Sequence, residues 1–318
     1  MANLTNRNTT DYRPLTPTIA LWLAAPHTWA ASVCPALFGI LYCWLRHYPL
    51  GPGKALALLA ACVLMQSAVN ALNDYFDFIK GADSAEDNVE VSDAALVYEN
   101  IDPRSAKWLG IGFLAAAAVL GLTSCIGSGF APLLVGLFGG MVVLAYSGGP
   151  MPLSYLPVGE VFSGMTMGGL IPLGIAACGC GRIDLYALAY SLPLVVGIAL
   201  IMMSNNGCDI EKDVRAGRRT LPVLLGRQTT LRVYRTLLAV WLALLAVCPL
   251  LLMGTVGITG PVLTAVLAAG AFRKLWKLQL EPTQRILQMK GILAANIRGN
   301  GAYLAAMALA LAREVLHG

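Results

Sequence analysis

Apolar residues occur in long runs along this chain, and polar residues collect between them. Nine apolar segments can be drawn, with approximate cores at 18–45, 54–76, 107–126, 131–147, 159–178, 185–205, 232–253, 256–272 and 292–312. Several exceed the roughly 18–20 residues that an α-helix needs to cross a hydrocarbon layer. The first is long and holds Pro26 and Pro35, which predicts a kink or a re-entrant start. Short Gly/Pro links, Gly127 to Gly129 and Gly254 to Gly260, predict tight antiparallel hairpins between the third and fourth segments and between the seventh and eighth.

Composition agrees with the pattern. Apolar residues make up 57% of the 318 residues and charged residues 12%, against about 25% charged in a soluble domain. The expectation is an all-α polytopic membrane protein, with one domain over 18–318 and membrane lipid as its surroundings. The polar stretch 1–17 lacks the short apolar core of a signal peptide and reads as a disordered cytoplasmic tail. Eight cysteines are scattered, and Cys178 and Cys180 form C-G-C, which is not a zinc spacing. Free thiols are expected, with no disulfide framework and no structural zinc.

Charge fixes a side for each loop. With the N-terminus inside, seventeen of the 22 Lys and Arg residues fall in the tail or in the loops after segments two, four, six and eight. Four, namely Arg46, Lys54, Arg182 and Arg313, fall on the other side. This asymmetry predicts a cytoplasmic N-terminus and an external C-terminus. The modest net charge of +5 is accounted for by this sorting, and no nucleic-acid partner is expected.

Two acidic stretches then share the cytoplasmic side. One is N-D-Y-F-D-F-I-K-G-A-D, Asn73 to Asp83; the other is N-N-G-C-D-I-E-K-D-V-R-A-G-R-R-T, Asn205 to Thr220. Asn73 and Asp77 are four apart, as are Asp209 and Asp213, so each pair shares a helix face. Carboxylates at depth in a span cost too much to be idle, and less so at its interface. Two oxygen-rich helix ends facing each other suit a hard divalent cation, most naturally Mg²⁺, which takes few carboxylates and completes its shell with substrate phosphates. The candidate ligands are Asn73, Asp74, Asp77, Asp83, Asp209 and Asp213, with Asp77, Asp209 and Asp213 as the catalytic set. Lys80, Arg215, Arg218 and Arg219 are candidates for a diphosphate.

Such a pocket fits an allylic diphosphate: the metal makes diphosphate a good leaving group, and a helix bundle open to lipid houses an isoprenoid tail. The remaining cation needs shelter from water and neighbouring π faces, for which Tyr75, Phe76 and Tyr146 are candidates. The turn-rich stretch Tyr146 to Glu160, stiffened by Pro150, Pro152 and Pro157, is a candidate wall for an aromatic substrate. Tyr146, Ser147, Tyr155, Asn205 and Asn206 are its candidate hydrogen-bonding groups. The segment from Asp93 to Pro103 is a candidate cap over the cavity. The competing reading is a transporter whose buried acids mark an ion path; their restriction to one side speaks against it.

These motifs resemble the UbiA superfamily of intramembrane aromatic prenyltransferases. Asn73, Asp74 and Asp77 match its N-D-x-x-D motif, and Asp209 and Asp213 its D-x-x-x-D motif. The branch of 1,4-dihydroxy-2-naphthoate polyprenyltransferases is most similar. It is matched by Gly81 and Asp83, by Y-S-G-G-P-M-P-L-S-Y from Tyr146 followed by Gly159 and Glu160, and by the stretch Asn205 to Thr220. The resemblance implies nine transmembrane helices around a central cavity in a bacterial cytoplasmic membrane. It also implies Mg²⁺-dependent transfer from a polyprenyl diphosphate to 1,4-dihydroxy-2-naphthoate, with decarboxylation to demethylmenaquinone. A sister acceptor, 4-hydroxybenzoate or homogentisate, is the alternative.

Overall fold

The structure, a computed structural model, describes residues 12–80, 95–147 and 152–317. Their regular structure is helical, with one isolated bridge between Arg13 and Ile101. Each of the nine apolar segments forms helix. Among the described residues, four helices are long and apolar enough to cross a membrane, or five if the bent first segment counts as one span.

That bend is 61°, between α1 (Pro17–Ala24) and α2 (Ala30–Leu45). Ala25 takes a left-handed φ of 45° and Pro26 begins a short turn. The Ala24 carbonyl, freed by the break, accepts bonds from Trp29 Nε1 at 3.0 Å and Asn70 Nδ2 at 3.0 Å. Side chains thus restore what the backbone loses inside lipid. Pro35 sits within α2 without a comparable break.

The long α3 (Pro52–Lys80) runs from one face of the bundle to the other. One helical turn, α4 (Ala95–Tyr98), follows the undescribed residues and packs with Ile19, Leu23 and Ala71 in a small satellite core. The described end of the candidate cap is therefore a buried wedge between α1 and α3. Antiparallel to α3 runs α5 (Pro103–Cys125), with Gly110 seated on Ala68 and Leu72. The turn at Gly127 to Gly129 leads into α6 (Ala131–Ser147) as expected, yet α5 packs mainly on α3. The pair splays, and the cleft between its helices becomes part of the central cavity.

The next segment is α7 (Gly159–Ser163), a π-helical turn over Gly164–Leu170, and α8 (Ile171–Cys180). It lies against α10 (Leu192–Cys208), which follows the short α9 (Leu185–Tyr190). A Cβ on Gly168 would stand 2.4 Å from the Val195 nitrogen, so only glycine allows this approach. After α11 (Ile210–Arg215) comes α12 (Leu221–Met253), broken at Gly226 with φ 71°. The hairpin to α13 (Thr259–Leu267) closes as the Gly254–Gly260 link predicts; α14 (Ala269–Lys277) and α15 (Arg285–His317) complete the bundle. Asn296, Arg298 and Asn300 interrupt the apolar run of α15.

The two faces differ chemically. At one, Asp184 Oδ2 accepts from the hydroxyls of Tyr42 and Tyr48, both at 2.8 Å, and Lys54 Nζ reaches Ser128 Oγ at 3.0 Å. At the other lie the acidic motifs. All eight cysteines are free thiols.

Candidate active site

A cavity of about 900 Å³ runs from the acidic face into the bundle. Its depth is apolar, lined by Leu114, Gly121, Leu137, Met141 and Leu170 among others. Its mouth is polar.

On α3 the polar side of the cavity is a stripe. Gln66, Asn70, Asn73 and Asp77 all line it, at spacings of four, three and four that hold one helix face. At 1.5 Å per residue the stripe extends roughly 16 Å along the axis. Asn70 Nδ2 donates to Thr28 Oγ1 at 2.9 Å, and Gln66 Nε2 to Asn70 Oδ1 at 3.1 Å. Asp74 lies beside the stripe and is buried; the Leu96 N–H of α4 points at its Oδ2, 3.4 Å away. Asp83 lies outside the described residues, as do the side chains of Lys80 and Ser147.

The second motif folds back on itself. The Asp213 N–H donates to the Asp209 carbonyl at 2.8 Å, and the chain then reverses at Gly217, φ 70°. The Arg218 N–H returns to the Asp213 carbonyl at 2.8 Å, and Thr220 Oγ1 donates to Asp213 Oδ2 at 3.1 Å. The close run of acids and arginines is thus a closed loop whose charges meet. Arg218 crosses to the first motif, donating from Nη2 to Asp77 Oδ1 at 2.8 Å, with Nη1 3.8 Å from Asp213 Oδ1. Its guanidinium rests on the Tyr155 ring, 4.7 Å from the centroid. Asp209 is held from α15: Arg285 Nε donates to both its oxygens at 2.9 and 3.1 Å, while Arg285 Nη2 reaches Asn205 Oδ1 at 2.7 Å.

Burial shapes the acids. It pushes the Asp213 carboxyl up to about 6 from 3.8, against the opposing pull of Arg218. It also raises Asp209, with Arg285 opposing. On the exposed rim, hydrogen bonds from Arg227 lower Glu211.

The structure places the expected site residues unevenly around the cavity. Asp213 is 2% exposed and lies behind Arg218 rather than lining the cavity. Of the expected diphosphate-binding arginines, Arg218 lines the cavity, whereas Arg215, at the end of α11, and Arg219, beyond the turn at Gly217, are exposed outside it. Asn205 lines the cavity but Asn206, about 100° further round the helix, turns to Glu160. Tyr155 supports Arg218 from outside the lining. Tyr75 packs with the satellite core, and neither it nor Phe76 lines the cavity; Tyr146 does.

Sequence reasoning missed Arg285, Lys212 and Lys290 as cavity-lining cations. It also missed the role of Gln66 and Asn70, though two amides in an apolar helix, in phase with Asn73 and Asp77, are a readable signal.

Among the described residues no three acid, thiol or imidazole groups converge on a point that could hold a metal by themselves. The donor set nevertheless suits Mg²⁺. The mouth offers carboxylate and amide oxygens from two helix ends, and Mg²⁺ is held by one or two carboxylates plus substrate phosphates rather than by an all-protein cage. The adjacent arginines and lysines complement phosphate oxygens.

The family model for the UbiA prenyltransferase family matches residues 32–296. The 1,4-dihydroxy-2-naphthoate octaprenyltransferase of Bacillus subtilis is 34% identical over 209 residues, 65% of this chain. The chain spans 66% of that relative's length. The protein of the same name in Mycobacterium tuberculosis is 32% identical over 229 residues, 70% of this chain and 75% of that one. A solved UbiA homolog from Archaeoglobus fulgidus, bound to GPP and Mg²⁺, superposes with a TM-score of 0.62 at 18% identity, covering 90% of this chain and 99% of that one.

Proposed function

The chain belongs to the UbiA prenyltransferase family, and on that footing we propose that it transfers a polyprenyl group from an allylic diphosphate to an aromatic acceptor. The acceptor is 1,4-dihydroxy-2-naphthoate, and the product, after loss of its carboxylate, is demethylmenaquinone. The observation that carries this reading is the Arg218 bridge between Asp77 and Asp213 at the mouth of an apolar cavity. It joins the two acidic motifs where a diphosphate head would rest while its tail lies in the cavity.

In this reading Asp77, Asp209 and Asn73 hold Mg²⁺, with Asp74 and Asp83 in reserve. When bound, Mg²⁺ neutralises the diphosphate and makes it a better leaving group. Arg218 and Arg285 exchange part of their contact with the acids for diphosphate oxygens, and Lys212 and Lys290 add charge. Asp213, buried behind Arg218, orients that guanidinium. The cleft between α5 and α6 takes the isoprenoid tail, and its apolar lining keeps water from the allylic cation. Tyr146, at the junction of mouth and cavity, marks the acceptor side.

The same reading places the nine segments as nine spans in a bacterial cytoplasmic membrane, with the N-terminus and cavity mouth cytoplasmic and the C-terminus outside. The excess of Lys and Arg in the loops that share the side of the acidic motifs supports it.

The test is a panel of acceptors (1,4-dihydroxy-2-naphthoate, 4-hydroxybenzoate and homogentisate) given one labelled prenyl diphosphate and purified protein. Label is expected in a prenylated naphthoquinol. Label in a benzoate product instead would reassign the acceptor, and no transfer to any of them would overturn the function.

A further inference from the structure

One buried acid in the bundle has no part in the chemistry above. Glu160, in the first turn of α7, is 3% exposed and lies at the head of a membrane-length helix. Its Oε1 accepts from Asn206 Nδ2 at 2.8 Å. Its Oε2 is buried and has no hydrogen-bond partner among the described residues. A carboxylate only accepts, and one left half-satisfied at such a place is costly.

Tyr146 presents the complementary deficit. Its hydroxyl is buried and likewise has no hydrogen-bond partner among the described residues. It lies 3.9 Å from where a Cβ on Gly159 would stand, and so sits over the start of α7, within electrostatic reach of Glu160, Arg218 and Asp77. Tyr146 lines the cavity; Glu160 and Asn206 do not. Glu160 can therefore reach a bound molecule through Tyr146.

We infer that Glu160 is a positioning residue of the acceptor subsite. With acceptor bound, its Oε2 takes the Tyr146 O–H, a bond not made in the structure, where both atoms are unpaired among the described residues. This leaves the Tyr146 oxygen turned to the cavity as an acceptor for a phenolic hydroxyl of the aromatic substrate. Asn206 fixes the carboxylate so that this oxygen stays aimed. The ligand class is a hydroxylated aromatic ring whose O–H donates, and the inference rests on the acceptor reading proposed above. A tyrosine hydroxyl without an anchored partner would donate as readily as accept; the buried carboxylate makes the choice. A site built this way rejects a ring that lacks the hydroxyl, because its own buried groups are then left unpaired.

The experiment measures KM for acceptor and for prenyl diphosphate separately in wild type, Glu160→Gln, Tyr146→Phe and the double variant. Each enzyme is also assayed with a naphthoate acceptor lacking one ring hydroxyl. The expected result is an acceptor KM raised about tenfold or more in each single variant. The diphosphate KM should stay within about twofold, and the double variant should be no worse than the singles. Wild type should have a higher KM for the deoxy acceptor than for the hydroxylated one, and Tyr146→Phe should have the same KM for both, while kcat falls in each because the ring is less electron-rich. An acceptor KM unchanged in both single variants, or both KM values rising together, would overturn the assignment. Tyr146→Phe removes only the hydroxyl, so it remains informative if Glu160→Gln folds poorly. Wild type that prenylates no hydroxylated aromatic would instead overturn the function reading itself, a distinguishable failure.

Discussion

Arg218 Nη2 stands 2.8 Å from Asp77 Oδ1, across 141 residues of sequence. That contact closes the mouth of the cavity between the end of α3 and the loop before α12. Arg218 also faces Asp213 and stacks on Tyr155. Three partners need a planar, multi-donor cation, which lysine is not. Arg218→Lys should therefore raise the KM for prenyl diphosphate about tenfold, and Arg218→Ala about a hundredfold, with the acceptor KM little changed. Steady-state kinetics with each substrate varied in turn checks this.

Arg285 and Asp209 form a second pair from distant elements, side chains 11% and 10% exposed. Removing either charge strands the other in a buried place, which costs more than the pair is worth. Asp209→Asn and Arg285→Ala should each weaken diphosphate binding, and the double variant should lose much less than the product of the two. A double-mutant cycle on the dissociation constant of a non-hydrolysable prenyl diphosphate analogue reads the coupling.

Asp213 links stability to pH. Its folded pKa, about 6, lies above the ordinary 3.8 because burial disfavours the charge. The folded state thus holds the proton more tightly, and the contribution of this group to stability is present below pH 3.8 and is lost as pH rises through 6. Two pKa units correspond to about 3 kcal/mol. Asp213→Asn should raise the thermal midpoint in detergent at pH 7.5 and not at pH 4, while the KM for prenyl diphosphate rises by less than in Arg218→Ala, because Arg218 loses one of its three partners. In wild type, transfer should fall as pH drops through about 6.

The opposite face offers a control. Asp184 accepts from two tyrosine hydroxyls and from the Tyr186 N–H at 3.0 Å. Burial raises its pKa, but these bonds outweigh it and leave it lowered. Hydrogen bonds to a charged group are worth about 1.5–3 kcal/mol each. Asp184→Ala should lower the thermal midpoint by several degrees and leave both KM values unchanged.

Much of this was readable in the sequence, and what was not has physical reasons. Length and apolarity locate every long helix, and Pro26 marks the bend between α1 and α2. The four-residue spacing places Asn73 and Asp77 on one face that opens to the cavity. Spacing within a helix says nothing about which distant element supplies a partner, so Arg285, 76 residues beyond Asp209, was invisible. The arginines after Asp213 looked equivalent; beyond the reversal at Gly217 Arg218 turns inward, while Arg215 and Arg219 stay exposed. Asn205 and Asn206 looked like a pair, but adjacent helical residues point to different places, one to the cavity and one to Glu160.

The most direct test of the account is a Mg²⁺ titration of prenyl transfer to 1,4-dihydroxy-2-naphthoate, with purified wild type and the Asp77→Asn/Asp209→Asn variant, both shown to be inserted and folded. Transfer should require Mg²⁺, stop with chelator, and fall at least about a thousandfold in the double variant. Turnover that survives chelator, or that persists in the double variant, would contradict the claim that the two acidic helix ends would jointly hold the metal and the diphosphate.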